Sequence, residues 1–216
     1  GYTRAKKPVR AADLKAHGGD PAEVRHVCMD MSAAYAKGAT LALPQADISY
    51  DRFHVVAMAI QAMDDVRREE LRAEPAQVAA ALQGADPETR RNLLWGMRKN
   101  PVGWTAAQTD AMYWLQRSAL KSARAWRLRM ARREVYARAR QHNSAEQAAS
   151  DLKAWTSWAR RCRLEPFKKL ATTIKERFDA VVRGMLDHRS NAFVESMNGQ
   201  LQQAKRAARG YRTAKN

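Results

Sequence analysis

The 216 residues carry 39 lysines and arginines against 22 aspartates and glutamates, a formal charge of +17 with a pI near 10.5. So large a charge works against compaction and points to a polyanionic partner, nucleic acid first and an anionic membrane surface second. No apolar run reaches the length of a membrane span and no signal-peptide pattern opens the chain. Cys28 and Cys162 are too few for a disulfide framework and read as reduced cytosolic thiols, Cys28 as a small buried packer.

Residues 1–10 are basic, without periodicity, and read as an arm; a start at Gly1 rather than methionine reads as an excised or truncated piece. Ala11 to His17 has the pattern of a helix end, stopped by Gly18-Gly19 and turned by Asp20-Pro21. Val24 to Asp30 is short, β-branched and apolar, and a helix start follows at Met31. This predicts a strand with Asp30 at its carboxyl end, where sites collect in open α/β sheets. A helix N-cap is the other reading of Asp30, and the two roles are compatible. The helix from Met31 closes near Leu43 at Pro44, and Ala46 to Tyr50 predicts a second strand ending at Asp51. Strand, helix, strand at this spacing is a parallel unit that brings Asp30 and Asp51 to one sheet edge. Two adjacent carboxylates repel unless a cation or proton lies between them, which points to a metal; a cap for the next helix is the alternative for Asp51.

From Phe53 the pattern is helical. Phe53, Val56, Ala57, Ile60 and Met63 form the predicted apolar side of a long helix whose far end, from Asp64 to Glu70, is charged. Asp86-Pro87 starts another helix with a cap and a first-turn proline, and Thr105 caps a third. Lys121 to Gln141 is a very basic helix carrying Arg124, Arg127, Arg129, Arg132, Arg133, Arg138 and Arg140. Trp104, Trp114, Trp126, Trp155 and Trp158 are interleaved through this region. Arginine beside tryptophan marks a nucleic-acid surface in one reading; helical spacing favours the other, a helical core. Ser144 to Arg161 and Glu165 to Asp187 each read as one further amphipathic helix.

The last helical run, from Ser190 to Arg212, places Phe193, Met197, Leu201, Ala204 and Ala208 on one side. Asn191, Glu195, Asn198, Gln202, Arg206 and Arg209 fall on another. Glu195 is the only acid from Ser190 to the C-terminus. It reads either as part of a solvated face with local ion pairs or as a carboxylate for a divalent metal, flanked by amide and guanidinium groups that grip phosphate. Acids on separate elements of an α/β core, in a strongly basic chain, suit two-metal phosphoryl transfer on nucleic acid. Basic groups nearby would hold the flanking phosphates without reading sequence.

Several blocks resemble the DDE transposase domain of bacterial insertion sequences, in the ISL-three group. They are Val27-Cys28-Met29-Asp30-Met31-Ser32-Ala33-Ala34-Tyr35, Leu43-Pro44-Gln45-Ala46, Asp51-Arg52-Phe53-His54-Val55 and Asp64-Asp65-Val66-Arg67-Arg68. The likeness resumes at Leu164-Glu165-Pro166-Phe167-Lys168, at Thr173-Ile174-Lys175, and from Ser190-Asn191-Ala192-Phe193-Val194-Glu195-Ser196-Met197-Asn198-Gly199 to Tyr211. The blocks keep the family's order along nearly the whole chain.

The resemblance implies a mainly α fold with a small parallel β portion, an incomplete ribonuclease-H-like core with a large helical insertion. Residues 1–54 would be the partial core, 55–185 the insertion, and 186–216 the C-terminal core helix and basic tail. Asp30 and Glu195 would be the second and third catalytic acids and the ligands of Mg2+ or Mn2+. Asp51 and His54 fit a D-x-x-H pattern of related groups, with packing, DNA contact and catalysis all open; Asn191 and Asn198 would give support. Lys205, Arg206, Arg209, Arg212, Arg124 and Arg127 would bind DNA. A zinc site from His26, Cys28, Asp51 and His54 lacks a recognisable spacing.

The family's first acid has no counterpart here, since Asp13 sits in a helix-like run and Asp20 in a turn. The DNA-reading N-terminal domain and the first three strands are missing as well. The expectation is therefore the C-terminal part of a DNA transposase, metal-dependent in cleaving and transferring strands, with two acids of three and inactive alone. An exposed sheet edge would leave the isolated piece marginal or self-associating. Its partners would be DNA, as transposon ends and target, and further copies of the full-length protein, in the bacterial cytoplasm at the nucleoid and with no membrane. The alternative is a non-catalytic basic helical nucleic-acid-binding protein whose acids are only caps and ion-pair partners.

Overall fold

A computed structural model describes residues 11–83, 87–187, 200 and 203. Helix α1 (Ala11–Ala16) gives way at Gly18, whose φ of +78° lies in the left-handed region open to glycine. Asp20 then caps a short 3-10 turn, accepting from the Ala22 amide at 2.9 Å. Strand β1 (His26–Met29), helix α2 (Ala33–Ala42) and strand β2 (Asp47–Tyr50) follow. The strands pair in parallel, Met29 opposite Tyr50, as the strand–helix–strand spacing predicts. Gln45 fixes the approach to β2 by donating from Nε2 to the Pro21 and Val24 carbonyls ahead of β1, at 2.6 and 3.1 Å.

The remaining described helices are α3 (Arg52–Ala73), α4 (Pro75–Ala81), α5 (Pro87–Arg98), α6 (Ala106–Arg117), α7 (Lys121–His142), α8 (Ala145–Arg161), α9 (Glu165–Glu176) and α10 (Phe178–Leu186). The described residues are thus mainly helical with one small parallel sheet. Helix α3 packs on α7 and α9, and α8 closes a ring by packing on the same two. The α5–α6 pair leans on this ring through α6, and α10 touches the ring helices on one side and β2 on the other. One apolar core runs from Met29 and Tyr50 of the sheet through Val55, Met63, Leu128 and Phe167 to Met185.

Local chemistry sets several boundaries. Thr105 and Gln108 form a capping box at the start of α6, with both reciprocal bonds at 3.2 Å. Ser144 caps α8 through the Gln147 amide. At the start of α7 the cap position is Leu120, which has no acceptor, and Glu70 of α3 supplies one from across the ring. Its buried carboxylate accepts from the Lys121 amide at 2.5 Å, the Ser122 amide at 2.9 Å and the Ser122 hydroxyl.

The structure corrects four expectations from the sequence. The buried face of α3 is Val55, Ala59, Ala62, Met63 and Val66 with Asp64 and Glu70, whereas Phe53 and Ala57 are exposed and Val56 and Ile60 half-buried. Glu165 to Asp187 is two helices, broken at Arg177, because α9 stays in the ring while α10 turns onto β2. Helix α4 was not anticipated, although Pro75 at its first turn is a start signal. Cys28 is half-exposed rather than a buried packer.

The tryptophans divide. Trp126 and Trp155 are buried, Trp104 stacks on Trp126 with centroids 5.9 Å apart, and Trp158 keeps 44% of its surface exposed.

Candidate functional site

Parallel pairing carries Asp30 and Asp51 out of the same end of the sheet, each one residue past a strand. The Asp51 amide donates to the Met29 carbonyl at 2.8 Å, so the two residues leave the ladder side by side. Only Asp51 caps the helix that follows it; the cap position of α2 is Ser32, and Asp30 lies two residues ahead of it. Asp51 caps α3, its Oδ1 accepting from the Phe53 amide at 2.8 Å, and it is 1% exposed. Asp30 is half-buried, and its Oδ1 accepts from the Ser32 amide at 3.0 Å. Its second oxygen accepts no hydrogen bond among the described residues. His54 lies in the first turn of α3, half-buried, its amide donating to the Asp51 carbonyl.

Helix α10 holds this end of the sheet. Arg183 Nε donates to the Ile48 carbonyl at 2.8 Å, and Ser49 Oγ donates to Asp187 Oδ2 at 3.2 Å. Gly184 lets the helix backbone come this close: a Cβ there would sit 2.0 Å from the Tyr50 carbonyl oxygen. Asp187, bonded to Ser49, therefore delivers the chain beside β2, eight residues before Glu195. None of these α10 contacts was anticipated. The available signal was a glycine inside the strongly amphipathic run Val181-Val182-Arg183-Gly184-Met185. Asn191, Glu195, Asn198, Lys205, Arg206, Arg209 and Arg212 lie outside the described residues.

The arginines of α7 have separate duties. Arg124 and Arg127 are exposed. Arg129 is buried and closes the end of α5, donating to the Met97 and Arg98 carbonyls at 2.8 and 3.0 Å. That is the stabilising end of a helix for a cation. Burial, together with the nearby charges of Arg132 and Arg133, brings Arg129 down to about 10. Arg132 is also buried, which lowers it in turn, and it lies 4.6 Å over the ring of Tyr136. Burial pushes the Tyr136 hydroxyl up to about 12. Arg138 pairs with Asp151 of α8 at 2.8 Å.

A family model for ISL3-group DDE transposases, described as transposase, matches residues 3–216. This chain belongs to the ISL3 group of transposases. Two curated relatives are the transposases for insertion sequence element IS1557 from Mycobacterium tuberculosis strains CDC 1551 / Oshkosh and ATCC 25618 / H37Rv. Each is 31% identical to it over 211 residues, covering 89% of this chain and 46% of the relative. The chain thus spans about half the length of the curated relatives it matches. No solved structure matches it.

In this ISL3-group transposase chain, no three histidine, cysteine, aspartate or glutamate side chains stand together as a metal-ligand group among the described residues. His26, Cys28, Asp51 and His54 accordingly form no such group. Asp30 has the chemistry expected of a ligand for Mg2+ or Mn2+: a hard carboxylate oxygen, oriented by the bond that its partner oxygen makes to Ser32. No described helix is long and apolar enough to cross a membrane.

Proposed function

We propose that this chain supplies Asp30 and Glu195 to a DDE-type DNA transposase that cleaves and transfers the strands of an insertion sequence with Mg2+ or Mn2+. In this reading β1, α2 and β2 belong to a ribonuclease-H-like core, and the helical block from α3 to α9 is an insertion in it. The observation that carries the proposal is the place of Asp30, at the carboxyl end of a parallel strand with one oxygen fixed by Ser32 and the other unengaged by described groups. The tie of Asp187 to Ser49 supports it, because it holds Asp187, eight residues before Glu195 in the sequence, beside β2.

Each residue has a physical task. Asp30 and Glu195 hold the cations, and a bound pair of cations supplies activation of the attacking oxygen and charge stabilisation of the leaving one. Asp51 holds α3 against the sheet edge as its cap, so that the backbone beside Asp30 keeps its place. Asn191, Asn198, Lys205, Arg206, Arg209 and Arg212 contact the phosphates of transposon ends and target. Phosphoryl transfer asks little covalent chemistry of the protein, so position and field make up most of the mechanism.

The test is Asp30→Asn and Glu195→Gln in a protein of the relatives' full length. Each is expected to abolish strand transfer and weaken Mn2+ binding while leaving DNA affinity unchanged. Transfer that survives Asp30→Asn would refute the assignment.

A further inference from the structure

The first turns of α7 and the last turn of α8 enclose a pocket of about 360 Å³ that the catalytic reading does not use. Its wall holds Arg124 and Arg127 of α7, Arg161 at the end of α8 and Arg163 in the link to α9, with Trp158 and Leu128 between them. No acid lines it, and among the described residues none of these four arginines makes an ion pair. Elsewhere on α7, Arg138 pairs with Asp151, and Arg129 and Arg132 are buried. Arg163 moreover stands at φ +59°, a left-handed conformation that a residue with a Cβ adopts at a cost. Four like charges around one cavity repel unless an anion joins them.

The tryptophan narrows the kind of anion. Trp155, one turn earlier, fills the core and donates from Nε1 to the Leu128 carbonyl at 2.9 Å, which clamps α8 to α7. Trp158 is not needed for that clamp, and its indole is 44% exposed at the pocket. An aromatic face among guanidiniums suits a base together with its backbone phosphates. Bases inside a duplex are stacked on one another and cannot offer a face to a pocket wall.

We propose that this pocket is a single-strand subsite, in which a base of unpaired DNA stacks on Trp158 while Arg124, Arg127, Arg161 and Arg163 hold the flanking phosphates. The inference rests on the DNA reading above and adds to it the strandedness of the substrate and the residues that sense it.

The experiment measures binding of the whole chain to a fluorescein-labelled thymidine oligonucleotide of about ten nucleotides and to a mixed-sequence duplex at the same salt. Trp158→Ala is expected to weaken single-strand binding about tenfold and to spare the duplex, with Trp158→Phe restoring most of the loss. Replacing both Arg124 and Arg161 with glutamine should reduce the salt slope of single-strand binding by roughly 1.4, from about 0.7 per phosphate contact. Single-strand affinity that is unchanged in Trp158→Ala, or lost equally for the duplex, overturns the subsite alone. Wild-type chain that binds neither DNA overturns the DNA reading and the subsite with it.

Discussion

Replacing Gly184 with alanine sets two effects of opposite sign against each other. Alanine is the better residue in a helix interior by about 1 kcal/mol, so α10 considered by itself gains. A Cβ on Gly184 would nevertheless lie 2.0 Å from the Tyr50 carbonyl oxygen, where real contacts stay beyond 3.0 Å. The obstacle is backbone, which cannot swing aside, so helix and strand must separate by the difference of about 1 Å. That stretches the Arg183–Ile48 and Ser49–Asp187 bonds, now 2.8 and 3.2 Å, past useful length. Two lost bonds at roughly 1 kcal/mol each, with overpacking strain of about 1–3 kcal/mol only partly relieved, outweigh the propensity gain. A net loss of about 2 kcal/mol corresponds to a melting temperature lower by roughly 4–8 °C for a chain of this size. Thermal unfolding followed by circular dichroism reads it directly. A variant that melts at or above the wild-type temperature would show that the close approach carries no weight, and the docking of α10 on β2 would have to be abandoned.

Two further predictions concern the ring. Glu70→Ala leaves the Lys121 and Ser122 amides without their acceptor in a buried place; at about 1–3 kcal/mol for each orphaned group, the loss should be about 3 kcal/mol. Glu70→Gln, which keeps one oxygen, should lose about half of that, and an alanine variant as stable as wild type in urea would remove Glu70 as the cap of α7. Asp64 is buried and meets Arg67 and Arg68 at 2.9 Å and Arg98 at 3.0 Å. Burial pulls its carboxyl up, but hydrogen bonds and charge from Arg67 and Arg98 together outweigh burial and hold it below the usual range. A depressed folded value means that this stabilisation is complete above the unfolded value, about pH 4, and is lost as pH falls through the lower folded one. The stability gap between wild type and Asp64→Asn should therefore shrink below about pH 4; a gap that stays constant down to strong acid would contradict the assignment.

The sheet end was readable because its signals are local: a short apolar run, an acid, a helix start, and the same again at Tyr50-Asp51. Thr105 was readable for the same reason, since a cap bonds within three residues of itself. The buried face of α3 was not, because the helix packs on α7 and α9 together and its apolar residues spread around the cylinder. A periodicity count then selects a face one residue out of step. Charge alone could not separate Arg129, which closes α5, from Arg124, which faces solvent, because the partner lies some thirty residues away. The break at Arg177 has no glycine or proline to announce it; it follows from the two different surfaces that α9 and α10 meet. The place of Asp30 at the end of β1 was legible, whereas the hold of α10 depends on contacts across more than 130 positions.

Two hydrogen-bonded strands, all that the described residues contribute to the sheet, are marginal in water by themselves. Here β2 is held by α10, and α10 is wedged among helices that share its core. The strands therefore open no less often than that helix lets go. A ligand that grips α10 would slow the breathing of Met29 and Tyr50 without touching either, and loosening the helical ring would unsettle Asp30 from a distance.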